Sequence, residues 1–248
     1  MSQVLIVTGG SRGIGAATAL LAAKQGWAVA VNYVANSLAA DEVVRSIRAA
    51  GGTAIAVQAD VGIEAQVLRL FETVDAKFGR LDGLVNNAGV VDMPVRIDEI
   101  TLERLERMWR SNITSSFLCA REAVRRMSTR HQGEGGSIVN LSSAAARIGS
   151  PGQYVDYAAS KAAIDTFTMG LAKEVATEGI RVNAVRPGII DTDIHASGGL
   201  PDRAAQVAPM VPMQRAGTAH EVAQAICWLL SDAASYTTGS IVDVTGGR

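Results

Sequence analysis

The stretch VLIVTGGSRGIG, residues 4–15, joins a short apolar run to a glycine-rich turn. An unbroken apolar run of this kind is typical of a strand buried on both faces of a parallel sheet. The residues that follow, up to Gly26, read as a helix. Glycines between a first strand and a first helix allow a tight turn and let backbone N–H groups approach a pyrophosphate. The stretch therefore predicts a β–α unit whose turn binds a dinucleotide.

Strands and helices alternate through the rest of the chain. Such alternation requires right-handed crossovers and a parallel sheet covered by helices on both faces. We therefore predict an α/β fold, a single doubly wound domain over residues 1–248. Its seven strands are expected at VLIVTGG (4–10), WAVAVNY (27–33), TAIAVQAD (53–60), LDGLVNNAG (81–89), GSIVNLSS (136–143), IRVNAVRPG (180–188) and GSIVDVTGG (239–247).

Composition narrows the class of protein. The 248 residues are 48% hydrophobic and 19% charged with a net charge of −1, which is ordinary for a globular chain. No block of like charge calls for nucleic acid or an anionic membrane as partner. The sequence shows no leader pattern and no apolar run of membrane-spanning length, so we expect a cytoplasmic protein. Cys119 and Cys227 lie in apolar helical patterns and are expected to be free buried thiols.

One region breaks the alternation, at about 189–217. Three of the six prolines, Pro201, Pro209 and Pro212, cluster there with a Gly-Gly pair. Irregular segments of this length in a compact domain are usually functional or mobile. We expect a flap over the substrate.

The glycine spacing in TGGSRGIG is G-x3-G-x-G, carried by Gly9, Gly13 and Gly15. Its place at the first β–α junction favours nucleotide binding over a plain turn. Because no Gly-Lys-Ser/Thr follows, a P-loop phosphotransferase is disfavoured.

The end of the second strand bears on the choice of dinucleotide. An acidic residue there would bond the ribose hydroxyls of NAD, but this position reads Asn32-Tyr33. Arg12 could face the 2′-phosphate of NADP, with Asn32 or Ser37 donating to it. Arg12 could equally be a solvated surface arginine. The pattern favours NADP, with NAD as the alternative.

The pentapeptide YAASK, residues 157–161, places a phenol and an ammonium one helical turn apart. Without other motifs, a tyrosine and a lysine at this spacing are usually a solvated pair on a helix surface. It could also be a proton donor with a cation beside it. An isolated tyrosine has a pKa of about 10, and an adjacent opposite charge lowers such a value by ~1–3 units. This second interpretation predicts that Lys161 makes Tyr157 more acidic.

Taken in order, TGGSRGIG, NNAG (86–89), the asparagine of SNITSSF, a strand ending in SS, YAASK and RPGIIDT resemble the short-chain dehydrogenase/reductase family over essentially the whole chain. The resemblance implies a Rossmann fold and hydride transfer between a nicotinamide and a carbonyl or alcohol carbon. Tyr157 would give or take the hydroxyl proton, and Lys161 would bond the nicotinamide ribose. Asn112 would hold a water that connects the lysine to solvent, although it could also be polar surface.

The catalytic serine is less clear. In many family members it precedes the tyrosine by thirteen residues, a position held here by Ala144, with Ser143 and Ser142 just before it. One extra residue in the loop SPGQYVD would select Ser143 to polarise the substrate oxygen. Ser142 would then point to the other side of the strand end.

The resemblance also assigns cofactor contacts. Asp60 would accept from the adenine amino group, with Val61 beside the ring, and Asp60 could also cap a helix. Asn86 and its neighbours would line the ribose side, and residues after the sixth strand would meet the nicotinamide. The expected cofactor contacts are Gly9, Ser11, Arg12, Gly13, Ile14, Gly15, Asn32, Tyr33, Asp60, Val61, Asn87, Ala88, Gly89, Tyr157, Lys161, Pro187, Gly188, Ile190 and Thr192.

We therefore expect an NADP-dependent carbonyl reductase or alcohol dehydrogenase acting on a small molecule. A 3-oxoacyl-carrier-protein reductase and a sugar or polyol dehydrogenase stay open. The basic residues Arg125, Arg126 and Arg130 favour the former, whereas Glu178 does not. Two alternatives from other functional classes are a nucleotide-binding scaffold without catalytic activity and a methyltransferase.

Two further expectations concern assembly and metals. As in the family, a homotetramer would pack helices 101–127 and 157–177 against partners. No metal site is expected, since His131, His195 and His220 lack ligand spacing. His195 lies in the predicted flap and could touch substrate, but a catalytic role for it is disfavoured.

Overall fold

A computed structural model describes residues 2–194 and 198–248. Nine strands lie in this part of the chain, seven of them in one parallel sheet and two in a small separate pair. They are β1 (Val4–Val7), β2 (Ala28–Tyr33), β3 (Thr53–Gln58), β4 (Gly83–Asn86), β5 (Gly136–Leu141), β6 (Ile180–Pro187), β7 (Ile190–Asp191), β8 (Gly217–Thr218) and β9 (Ile241–Val244). The large sheet has the order β3-β2-β1-β4-β5-β6-β9.

The α-helices follow the strands and cover both faces of this sheet. They are α1 (Gly13–Lys24), α2 (Ser37–Ala49), α3 (Glu64–Phe78), α4 (Leu102–Trp109), α5 (Ser115–Met127), α6 (Ala145–Ile148), α7 (Val155–Val175), α8 (Arg203–Val207) and α9 (Ala219–Leu230). One hydrophobic core joins the sheet to α1, α2 and α9, and a second joins it to α3, α5 and α7. The predicted doubly wound α/β fold is confirmed.

The first strand shows why its sequence is apolar throughout. Val4 and Ile6 point into one core while Leu5 and Val7 point into the other, and all four are buried. Alternate side chains of a strand face opposite ways, so a strand covered on both faces has no polar position.

The strand order reverses between β1 and β4, which lie side by side at the centre of the sheet. In open parallel sheets the crevice at the carboxyl ends of such a strand pair is where ligands bind. The glycine turn after β1 and the NNAG loop after β4 therefore open onto one crevice.

The predicted long helix 101–127 is interrupted in the structure. Between α4 and α5 the backbone widens into one π-helical turn, Arg110–Thr114, which contains the buried Asn112. Single π turns inside α-helices occur frequently at functional sites.

The predicted flap has some regular structure. β7 pairs in parallel with β8 at its two ends, and α8 lies between them. His195 falls outside the described residues.

Candidate active site

The glycine turn has a geometry that other residues would disrupt. Gly9 and Gly13 have φ values of 60° and 54°, in the left-handed region that glycine tolerates best. A Cβ on Gly15 would lie 2.4 Å from the Gly9 carbonyl oxygen and 2.5 Å from Asn87 Nδ2. The turn therefore excludes side chains and leaves the N-terminus of α1 open to a ligand, which fits a bound pyrophosphate.

The NNAG loop holds this turn in place. Asn87 Nδ2 donates to the carbonyl oxygens of Thr8 (2.8 Å) and Gly9 (3.0 Å). In return Thr8 Oγ1 accepts from the backbone N–H groups of Asn87 and Ala88, each at 3.0 Å. These four bonds join the carboxyl ends of β1 and β4, so the protein's own hydrogen bonds shape the crevice.

The side chain of Asn32 hydrogen-bonds to the backbone of the glycine turn. This contact corrects the prediction that Asn32 donates to the 2′-phosphate. Its side chain is 1% exposed, and Oδ1 accepts from Gly9 N at 3.2 Å. Nδ2 donates to the carbonyl oxygens of Ala59 (2.9 Å) and Val57 (3.3 Å). Because these carbonyls occupy the amide hydrogens, Asn32 braces the glycine turn against β3 and does not face a cofactor.

The remaining candidates for the 2′-phosphate lie at the surface. Arg12 precedes α1 in an extended conformation, and its exposed side chain has no hydrogen bond or ion pair with any residue that the structure describes. Ser37 is exposed at the start of α2, and Tyr33 is half-buried at the end of β2. An available guanidinium thus stands beside the glycine turn.

Asp60 and Val61 follow β3. Asp60 Oδ1 accepts from Gly62 N at 2.9 Å, and Asp60 N donates to Gln66 Oε1 at 2.8 Å. Ile63, not Asp60, occupies the cap position of α3, so the predicted helix cap is wrong. Val61 is buried in the core, with 3% of its surface exposed.

Tyr157, Ser143 and Lys161 converge in the cleft. Tyr157 and Lys161 lie one turn apart on α7, and Lys161 Nζ is 5.8 Å from the centroid of the Tyr157 ring. The Ser143 side chain, just after β5, lies close enough to Tyr157 to act on the pKa of its hydroxyl group. Lys161 is 5% exposed and its Nζ donates to the Leu141 carbonyl oxygen at 2.7 Å. The sequence-predicted serine, phenol and ammonium therefore meet at one place.

Ser142 faces away from this group. Its side chain is 3% exposed, and Oγ donates to the Lys161 carbonyl oxygen at 3.2 Å. Ser143 Oγ instead accepts from Ala145 N at 3.1 Å and reaches Tyr157. This placement favours Ser143 as the serine that meets a substrate.

The protonation of the pair differs from the expected acidic phenol. Burial raises the pKa of Tyr157 above its ordinary value, although Ser143 acts to lower it. Burial also lowers the pKa of Lys161 to about 8, with Asp165 opposing that shift. The net direction is opposite to the predicted acidic phenol, because burial outweighs the lowering by Ser143 and Lys161 Nζ bonds the Leu141 carbonyl. Tyr157 is therefore a protonated phenol at neutral pH.

Asn112 connects the π turn to the loop after β4. Oδ1 accepts from Val90 N at 2.7 Å, and Nδ2 donates to Val90 O at 3.0 Å and to Ser160 Oγ at 3.1 Å. A Cβ on Gly89 would lie 3.1 Å from Asn112 Oδ1 and 3.4 Å from Lys161 Nζ. Asn112 thus lies beside Lys161, but its amide is taken up by protein groups. The alternative of a surface asparagine is wrong, since the residue is 1% exposed.

Asn86 has an internal role. It is 3% exposed, and Nδ2 donates to Asn140 Oδ1 at 2.9 Å. Nδ2 also lies 3.3 Å from the Ser116 carbonyl oxygen of α5, so the side chain is buried between the sheet and that helix and not at the predicted ribose position.

Residues after β6 form the opposite wall. Thr192 lies against the glycine turn, within 3.5 Å of where a Cβ of Gly13 would be. Ile190 is buried within β7. The predicted contacts that line one cleft together with Ser143, Tyr157 and Lys161 are Ile14, Asn87, Gly89, Pro187, Gly188, Ile190 and Thr192.

Two arginines in this cleft were not predicted from the sequence. Arg203, from α8, and Arg248 both line it, as does Tyr154. Sequence spacing does not identify either arginine as a site residue. Arg203 lies in the irregular segment 189–217, and Arg248 follows the last strand.

No helix among the described residues has the length and apolarity needed to cross a membrane. In residues 2–194 and 198–248 no three His, Cys, Asp or Glu side chains are grouped to hold a metal ion. Cys119 and Cys227 are free and buried, as predicted.

Comparison with known proteins agrees with this geometry. The family model described as "Enoyl-(Acyl carrier protein) reductase" matches residues 9–248. A solved short-chain dehydrogenase/reductase of Serratia marcescens, a double mutant, superposes with a TM-score of 0.91 at 35% identity, over 99% of this chain and 97% of that one. The chain belongs to the short-chain dehydrogenase/reductase family. It is therefore an oxidoreductase of a family that uses nicotinamide cofactors.

The relatives of this short-chain dehydrogenase/reductase differ in substrate. An uncharacterized oxidoreductase of Escherichia coli, YgfF, is 56% identical, with 99% of each chain covered. A Synechocystis 3-oxoacyl-[acyl-carrier-protein] reductase is 43% identical, covering 99% of this chain and 96% of its own. A cis-4-hydroxycyclohexanecarboxylate dehydrogenase of Sinomonas cyclohexanicum is 41% identical, with the same coverage. Similarity alone therefore does not select a substrate.

Proposed function

We propose that this protein is an NADP-dependent oxidoreductase that interconverts a carbonyl and a secondary alcohol on a small molecule, with Tyr157 as the proton donor or acceptor. The observation that carries the proposal is the convergence of Ser143, Tyr157 and Lys161 in a cleft continuous with the glycine turn. The cleft would accept a dinucleotide along Ile14, Asn87 and Thr192.

The nicotinamide cofactor, when bound, would supply or accept the hydride. In the reductive direction Ser143 donates to the substrate oxygen and holds it beside Tyr157. The Tyr157 hydroxyl then gives its proton to that oxygen as negative charge develops there. Because burial keeps the pKa of Tyr157 above its ordinary value, the phenol is the available proton donor at neutral pH.

Lys161 has two roles in this account. Its ammonium, anchored by the Leu141 carbonyl, offers further N–H donors toward the nicotinamide ribose beside Gly89. It also places positive charge near the phenolate that forms when Tyr157 loses its proton. Asn112 positions the Gly89–Val90 backbone against this lysine.

Arg12 supports the choice of NADP over NAD. Its guanidinium is exposed beside the glycine turn and is not engaged by other described residues. The second strand ends without a carboxylate that would repel a 2′-phosphate.

The test is a spectrophotometric assay at about 340 nm, the nicotinamide absorbance, with ketones, acyl thioesters and sugars under NADPH and under NADH. We expect ketone reduction with NADPH preferred, and we expect Arg12→Ala to weaken NADPH more than NADH. An equal effect on the two cofactors would contradict the 2′-phosphate role. Thermal-shift titration with S-adenosylmethionine tests the methyltransferase alternative, which predicts that this compound binds and stabilises the protein. A complete lack of turnover with all substrates would favour the nucleotide-binding scaffold without catalytic activity.

A second candidate is 3-oxoacyl-carrier-protein reductase, the activity named for the Synechocystis relative. An acidic carrier protein needs a free basic surface, and Arg125 and Arg126 are tied to Glu122 at 2.8 Å and 2.9 Å. Arg126 also bonds Asp75 at 2.8 Å. Arg130, the third predicted basic residue, is exposed and has no ion pair with any described residue. One unpaired arginine out of three is a small basic surface, which favours a small free substrate.

We also propose a cytoplasmic homotetramer. Phe117 on α5 is 47% exposed and stacks on Phe167 of α7, with ring centroids 3.8 Å apart. Met169, also on α7, is 41% exposed. Apolar side chains grouped on a surface of this kind commonly mark an interface.

A further inference from the structure

The cleft is lined by two arginines that hydride transfer does not require. Arg203 and Arg248 line it together with Ser143 and Tyr157. No Asp or Glu lines it among the described residues, and most of the remaining wall is aliphatic, including Val91, Ile148 and Ile194.

Arg248 has an unmet hydrogen-bonding requirement. Its Nη1 is buried and has no hydrogen-bond partner among the described residues. A buried donor left unpaired costs about 1–3 kcal/mol, and more where the group is charged. An anion bound by the other N–H groups of the same guanidinium would offset part of this cost.

The position of Arg248 is held by its own segment of chain. Met213 N donates to the Gly246 carbonyl oxygen at 3.1 Å, which ties residues 245–248 to the segment before β8. A Cβ on Gly188 would lie 2.8 Å from Thr245 Cα, so this tail also packs against the end of β6. The guanidinium is thus carried on backbone that borders the reaction site.

Arg203 approaches from the other side. Its guanidinium carbon lies 4.9 Å from the centroid of the Tyr154 ring, and Nη2 donates to Gln153 Oε1 at 2.9 Å. Stacking on an aromatic ring orients a guanidinium and leaves its other N–H groups free to donate. Tyr154 and Tyr157, the proposed proton donor, line the same cleft as Arg203.

We propose that the cleft binds a substrate that carries a carboxylate remote from its reacting carbonyl or hydroxyl group, and that Arg203 and Arg248 bind that carboxylate. This inference rests on the proposed function and assigns its substrate class, a small keto acid or hydroxy acid with an apolar body. Guanidinium forks match the geometry of a carboxylate, and an aliphatic wall with no acidic residue does not repel it.

The test compares an acid with its neutral ester, 4-oxocyclohexanecarboxylate with its methyl ester, using NADPH and the full chain. We expect the wild type to prefer the acid in kcat/KM by about tenfold or more, since bonds to charged groups contribute about that factor. Arg203→Gln and Arg248→Gln should each raise KM for the acid about tenfold to a hundredfold with a smaller change in kcat, and should move the acid-to-ester ratio toward one. Arg69→Gln, an exposed arginine on α3, is the matched control and should keep the wild-type ratio.

Binding of cyclohexanecarboxylate, which has no reactive carbonyl, separates this inference from the proposed function. Calorimetric binding that both arginine variants weaken and Arg69→Gln does not would support the carboxylate site even if no turnover were found. Reduction of the ester and the acid with equal efficiency, unchanged in the arginine variants, would overturn the carboxylate site and leave the proposed function standing. NADPH affinity measured on each variant excludes loss of fold or of the cofactor site, and a loss equal to that for the acid would also overturn the proposal.

Discussion

At the residue scale, two adjacent serines have separate roles. Ser143 reaches Tyr157, whereas Ser142 donates to the Lys161 carbonyl from a buried position. The sequence leaves the choice open, because a one-residue difference in loop length moves the expected position. The two serines are distinguished only by the direction in which each hydroxyl group points at the end of β5.

Replacement of each serine by alanine tests this assignment. We expect Ser143→Ala to lower kcat about 10²–10³-fold, the usual cost of removing a donor to a developing oxyanion. Ser142→Ala should leave kcat near the wild-type value and lower the free energy of unfolding by about 1 kcal/mol, since it loses one hydrogen bond. Steady-state kinetics and urea denaturation measure the two effects. The reverse pattern would assign the chemistry to Ser142.

Lys161 should govern the alkaline limb of the pH profile. Burial lowers its pKa to about 8, so the ammonium is present below that pH and is lost above it. The pKa of Tyr157 is raised above its ordinary value and gives no limb in this range. We therefore expect kcat/KM for NADPH, which reports the free enzyme, to fall as pH rises through about 8.

Lys161→Arg provides the control for this limb, because an arginine stays charged throughout the range. Whatever activity it retains should show no decline near pH 8. A flat wild-type profile from pH 7 to about 9.5, or a limb that persists in the arginine variant, would assign the titration to another group.

At the element scale, the glycine turn was the most predictable part of the site. The distance of 2.4 Å between a Gly15 Cβ and the Gly9 carbonyl oxygen shows why no other residue fits. The π turn at Asn112 was not predictable, because its sequence continues a helical pattern. The sequence also wrongly predicts that Asn32 and Asn86 contact the cofactor, since a buried amide and a ligand-facing amide cannot be told apart in a sequence.

Gly15→Ala tests the turn as an element. The methyl group forces Gly9 or Asn87 to move, so we expect NADPH affinity to fall by more than about tenfold, or 1.4 kcal/mol. Fluorescence titration measures this affinity. Gly170→Ala on α7, where the added Cβ meets no atom within 4 Å apart from its chain neighbours and its own helix backbone, is the control and should bind NADPH as the wild type does. Unchanged affinity in Gly15→Ala would mean that the cofactor does not use this turn.

At the scale of the whole molecule, the alternation of apolar strands and helices determined the seven-stranded sheet and its two cores. Alternation does not reveal what the surface contacts or which side chains from distant segments share a cleft. Arg203 and Arg248 are brought to the cleft that Tyr157 lines only by the path of the chain after β6. The substrate end of the site was accordingly the least predictable part.

The proposed tetramer predicts a dependence on the apolar surface of α5 and α7. Phe117→Glu should dissociate the assembly into smaller species, because a charge would be buried in the interface. Leu38→Glu, at a position on α2 that is 79% exposed, is the control and should sediment as the wild type does. Analytical ultracentrifugation checks both, and a wild type that sediments as a monomer would refute the tetramer.

The central claim is that Tyr157 transfers the proton, and Tyr157→Phe tests it most directly. The variant keeps the ring and removes only the hydroxyl. We expect NADPH to bind the variant as it binds the wild type by fluorescence titration, while ketone-dependent loss of absorbance at about 340 nm, the nicotinamide maximum, falls by at least 10²-fold, the usual share of a positioned acid. Turnover close to that of the wild type, with NADPH binding intact, would contradict the account.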